Sequence, residues 1–195
     1  MNLNKVNYNL ILFWLMVIHT SVFSSVYTCD KSKNIENFVI EHCPLIESKD
    51  KIESIGIEYK NSTIIYRIIW EDEFYPNQLI DNIYRVYRKV KYGSAKDIEY
   101  FAIRLKEKQY YDIFFETYKI LFFNIYKHRK IHKVINGNSC KKIKIKVDTW
   151  NHLFNKNIEC LSENVQYKNI IKVPVFNIGE DFKKRYKLKN RSNPF

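Results

Sequence analysis

Ser54–Tyr59 (SIGIEY) and Thr63–Trp70 (TIIYRIIW), joined by Lys60-Asn61-Ser62, decide the fold. Both runs are rich in β-branched and aromatic residues, which suit a pleated, half-buried backbone, and the link between them is polar. They predict a β-hairpin. Upstream, Ile35, Phe38, Val39, His42, Cys43 and Ile46 recur at helical spacing, with Asn34 as N-cap and Glu36 in the first turn. Pro44 cannot continue a helix, so this one ends near Cys43. Downstream, the acidic Glu71-Asp72-Glu73 and then Tyr75-Pro76-Asn77 mark a loop with a turn. Ile83–Val90 and Ile98–Lys106 read as two more strands around Tyr92-Gly93-Ser94, and Tyr110–Thr117 as another.

Farther out, the periodicity of Tyr111–Tyr126 fits a helix while its aromatic density fits strands. Lys142–Val147 alternates Lys with Ile or Val, the pattern of a half-buried strand. Asp148 caps a short helix through Phe154. Ile170–Phe176 is a last strand, interrupted at Pro174, and Lys183–Phe195 reads as a loose basic end. A helix followed by a run of strands gives an α+β class: an N-terminal helix packed on a mostly antiparallel β-sheet.

The chain has 195 residues, 46% of them hydrophobic and 16% aromatic, which argues against intrinsic disorder. Its formal charge is +12, from 33 Lys and Arg against 21 Asp and Glu. There are 27 Ile but only two Ala and four Gly. Lys, Asn, Ile, Tyr and Phe are the residues of A/T-rich codons, so codon drift explains part of the Lys content. It does not explain the distribution. Residues 25–126 carry fifteen positive and sixteen negative side chains; residues 127–146 carry eight positive and none negative. No Gly-rich phosphate cradle is present, and the sequence calls for no cofactor and no metal.

Residues 1–24 read as a secretory signal: Lys5, then the apolar run Leu10–Ile18, then Val22 and Ser24 ahead of a cleavage site. That run is too short to span a bilayer, and no later stretch is longer, so no membrane insertion is expected after cleavage. Cys29, Cys43, Cys140 and Cys160 all follow the signal. An even count in a secreted chain implies two disulfides, with three pairings open. Asn61-Ser62-Thr63 and Asn190-Arg191-Ser192 are glycosylation sequons.

Tyr27-Thr28-Cys29 directly after the signal, a helix, strands with a Tyr-Pro turn and a distant cysteine together resemble the secreted ribonuclease-like effectors of powdery mildew fungi. Those proteins carry a Tyr/Phe/Trp-x-Cys motif at the mature N-terminus, and their fold is similar to that of fungal guanyl-specific ribonucleases. The resemblance covers residues 25–142 as a domain and leaves 143–195 as a basic C-terminal extension. It implies a Cys29–Cys140 bridge, with Cys43 and Cys160 remaining, and an extracellular protein delivered into host cells.

It also bears on activity. The ribonucleases have a Tyr-Pro-His turn whose histidine is catalytic; here Asn77 stands in its place and cannot move a proton. Their glutamate lies on the following strand, whereas Ile83–Val90 holds no carboxylate. Arg104 matches their phosphate-facing arginine. The expectation is a scaffold without catalytic residues that binds RNA or a host protein. Lys127, Arg129, Lys130, Lys133, Lys141, Lys142, Lys144 and Lys146 supply phosphate contacts, and Tyr75 stacks on bases. The competing readings are an active ribonuclease with a rearranged acid–base pair, drawn from His128, His132 and Glu116, and an unrelated secreted surface-recognition protein. The i, i+4 spacing of His128 and His132 suits one face of a helix.

Overall fold

The computed structural model describes residues 24–31, 35–71, 77–94, 96–106, 110–122, 125–137, 140–162 and 169–187. The hairpin forms as read. β3 (Ile52–Lys60) and β4 (Thr63–Trp70) pair antiparallel down to Lys60 opposite Thr63. Asn61 and Ser62 make the turn with φ of 50° and 58°, the left-handed conformation that matches a two-residue hairpin loop to the twist of its strands. Every residue of β4 is buried.

The chain builds two sheets rather than one. The first has five strands in the order β10-β1-β2-β8-β9: β1 (Ser25–Cys29), β2 (Leu45–Ser48), β8 (Lys142–Val147), β9 (Phe154–Leu161) and β10 (Ile170–Val173). The second has six, β11-β3-β4-β5-β6-β7, adding β5 (Ile98–Leu105), β6 (Tyr110–Phe122), β7 (Ile125–Asn136) and β11 (Val175–Asn177). Neighbours pair antiparallel except β1 with β10, β2 with β8 and β11 with β3. Ile46, Ile145 and Phe154 of the first sheet share one buried cluster with Ile55, Tyr66, Ile68, Phe101, Ile103 and Phe115 of the second. The two sheets thus enclose a common core, and strands from residue 142 onward belong to both of them. The mixed class with mostly antiparallel pairing is present.

The order at the start differs from expectation. β1 comes first, and α1 follows only at Asn37–His42. It packs Val39 into the core, where the Tyr66 hydroxyl donates to the Val39 carbonyl at 2.6 Å. Asn34 lies outside the described residues, as do residues 1–23 and 72–76.

Ile83–Val90 is not a strand. It belongs to α2 (Gln78–Tyr92), started by Asn77, whose side chain accepts from the Leu79 and Ile80 amides, and stopped by Gly93 at φ 77°. Asp81 and Arg88 are the buried residues of this helix. The Tyr111–Tyr126 ambiguity resolves to strand, forming the long β6–β7 hairpin. Residues 148–153 form a turn, not a helix. The Leu153 amide donates to Thr149 Oγ1 at 2.8 Å, and His152 sits at φ 55°. Pro174 divides the last expected strand in two, and the halves join different sheets. The basic end is ordered through α3 (Glu180–Arg185), which packs Phe182, and Tyr186 after it, against Ile69 and Ile98.

The disulfides are Cys29–Cys43 and Cys140–Cys160, not Cys29–Cys140. The register explains this. Antiparallel β1 and β2 bring Cys29 at the end of β1 beside Cys43, two residues ahead of β2, with Cα atoms 6.0 Å apart. Likewise β8 and β9 set Ile143 opposite Cys160, so Cys140 lies 4.9 Å from it. Each staple closes a local return, and the long-range tie implied by the resemblance is not made. Two disulfides fit a protein of an oxidising, extracellular compartment. Among the described residues no helix is long and apolar enough to cross a membrane.

Candidate nucleic-acid interface

Strand alternation builds the site. On β6, Ile113 and Phe115 enter the core, so Asp112, Phe114, Glu116 and Tyr118 stand on the opposite face. The β6–β7 register adds Val134, His132, Lys130 and His128 to that face, opposite these four in turn. The β5 register adds Arg104 beside Asp112 and Ala102 beside Phe114. The face therefore carries His128, Lys130, His132 and Arg104 together. The two histidines do share a face, but through a strand's period of two rather than a helix's turn.

Acids engage the two histidines. Glu116 Oε2 lies 2.6 Å from His128 Nδ1; the carboxylate is 5% exposed and the imidazole 49%. Asp112 meets His132 Nε2 at 3.3 Å and Lys106 Nζ at 2.7 Å. Burial alone would push the Asp112 carboxyl up, but hydrogen bonds from Lys106 and His132 outweigh it and hold the pKa below its ordinary value. The His132 ring stacks on Phe114 at 4.6 Å, and the Arg104 guanidinium covers the same ring at 5.1 Å. Deeper in the sheet, Arg67 lies over Tyr100 at 5.8 Å. Burial lowers the pKa of Arg67; burial raises that of Tyr100, with the charges of Glu116 and Glu99 adding to it.

The eight predicted basic residues separate into two groups. Lys127, Arg129, Lys130 and Lys133 lie on β7, an edge strand; the first three are exposed and Lys133 is half-buried. Lys142, Lys144 and Lys146 lie on β8, inside the five-stranded sheet, and are engaged there. Lys144 bridges Glu47 at 2.7 Å and Glu159 at 3.3 Å. Burial would lower its pKa, but these partners raise it, and Lys144 in turn lowers that of Glu47. Lys142 Nζ donates to the Glu41 carbonyl, with its pKa lowered by burial, and Lys146 meets Asp148 at 3.7 Å. Lys141, exposed, precedes β8. Tyr75 lies outside the described residues.

Sequence reasoning missed Asp112, Phe114, Arg67 and Tyr100. The alternation of Tyr110–Thr117 already places Asp112, Phe114 and Glu116 on one face, and that was the available signal. Among the described residues no group of three His, Cys, Asp or Glu could hold a metal ion. Comparisons with protein-family models, with curated proteins and with solved structures return no match.

Proposed function

We propose that this is a secreted binding protein of effector type whose β7 edge takes RNA. One observation supports the reading most. Lys127, Arg129, Lys130 and Lys133 follow one another along an edge strand with no acidic residue between them, Lys130 on the face of the stacked Phe114–His132–Arg104 platform and the other three on the opposite face of the same edge. Cations spaced along a strand suit a phosphate backbone, and π faces suit unstacked bases. The β8 lysines, engaged by Glu47 and Glu159, by the Glu41 carbonyl and by Asp148, stand outside the proposed interface.

Cleavage is the second reading, favoured by the Glu116–His128 pair, in which a buried carboxylate orients a half-exposed imidazole. Against it, four residues of strand separate His128 from His132, about 13 Å. That is too far for the two rings to serve the attacking and leaving oxygens of one phosphorus. Binding without cleavage is therefore the reading we adopt. Purified secreted protein should bind a labelled single-stranded RNA and leave its length unchanged on a gel. Cleavage that vanishes in Glu116→Ala or His128→Ala would replace it with the catalytic reading.

A further inference from the structure

α2 lies against the molecule the wrong way round for a surface helix. Its inward side is polar: Arg88 donates to Asp97 Oδ1 at 2.8 Å and to the Lys96 carbonyl at 3.0 Å, and Asp81 is buried. Its outward side is apolar. Leu79, Ile83, Val86 and Val90, at i, i+4, i+7 and i+11, are 72, 65, 63 and 72% exposed. Helices of soluble domains normally turn such a stripe to the core. Lys89 and Lys91 border it on either side, and Lys91 lies 5.1 Å over the Tyr87 ring. Asp81, the one acid in the helix sequence, faces away from the stripe. At the C-terminal end Lys187 Nζ donates to the Val90 carbonyl, adding another exposed cation.

We infer that α2 is a docking helix for an anionic lipid surface. Fifteen residues give a rod about 22 Å long and about 10 Å wide, so the stripe offers roughly 220 Å², against about 800 Å² per partner in a stable protein interface. A second copy would also bring two chains of +12 together. A bilayer has neither problem. An amphipathic helix lies in the interface plane, the apolar stripe enters the headgroup boundary, and flanking lysines meet anionic headgroups. The site is separate from β7, the far edge of the six-stranded sheet, and the inference is independent of the RNA reading.

The test uses the secreted chain, with loss of the apolar run Leu10–Ile18 verified by intact mass. It is sedimented with vesicles of phosphatidylcholine alone or mixed with phosphatidylserine, at about 0.1 M salt. Binding should require phosphatidylserine. It should fall about tenfold in Ile83→Gln/Val86→Gln, which keeps every charge, and also in Lys89→Gln/Lys91→Gln, with thermal unfolding unchanged because these side chains are exposed. Absence of binding to phosphatidylserine vesicles would overturn the inference. So would binding that the Ile83→Gln/Val86→Gln variant retains in full, or a dimer in sedimentation velocity that this variant abolishes.

Discussion

His152 shows how much one side chain can carry. It is buried at a left-handed turn position and stacks on Trp70 at 4.5 Å. Nδ1 faces Asp97 at 2.9 Å and Nε2 faces Asp50 at 3.3 Å, so both ring nitrogens donate and the ring is an imidazolium. Burial alone would lower its pKa, but the two carboxylates outweigh burial and raise it from 6.5 to about 9. A raised folded pKa stabilises the fold fully below the unfolded value, and that stabilisation disappears as pH rises through the folded one. Denaturant melts from pH 6 to 10 should therefore show a loss on the order of 3 kcal/mol, centred between about 6.5 and 9. A His152→Gln chain should be less stable at pH 6 and flatter over that window. Asp97 also holds Arg88, at 3% side-chain exposure. Arg88→Ala leaves that acid with a lost partner and should cost about 3–5 kcal/mol in the same melts.

The elements differ in how plainly the chain announces them. β3 and β4 were legible because β-branched runs and a two-residue polar turn agree with each other and with the burial of β4. α2 was not. The apolar run Ile83–Val90 reads as a strand, whereas it belongs to a helix that buries Arg88 and Asp81. The caps were better witnesses than the apolar pattern: Asn77 accepts two amides, and Gly93 adopts φ 77°. A Cβ at Gly93 would collide with the Arg185 carbonyl, so Gly93→Ala should destabilise by more than about 1 kcal/mol and loosen the C-terminal end of α2. Amide exchange across residues 86–92 reports this; unchanged protection would show that the contact with the α3 end is dispensable. The basic run itself was legible. Its division between β7 and β8 was not, because Glu47 and Glu159, which engage Lys144, come from distant positions in the chain.

Across the whole molecule, two local staples hold a two-sheet core together. Bridges spanning 14 and 20 residues should each contribute about 3 kcal/mol in the chain-entropy account. Peptide mapping without reduction should recover Cys29 with Cys43 and Cys140 with Cys160, and Cys140→Ser/Cys160→Ser should melt earlier by that amount. This pairing could not be read from the sequence, because it follows from the β1–β2 and β8–β9 registers. The cations of β7 line an edge of the six-stranded sheet among the described residues, while on β8 Lys144 is engaged by Glu47 and Glu159 within the five-stranded sheet. The most direct test is the salt dependence of single-stranded RNA affinity for the parent chain and for Lys127→Gln/Arg129→Gln/Lys130→Gln/Lys133→Gln. Four phosphate contacts predict that log affinity falls with log salt at a slope of about −3, and that the variant loses most of that slope. A flat dependence in the parent, or an undiminished slope in the variant, would contradict RNA binding through β7.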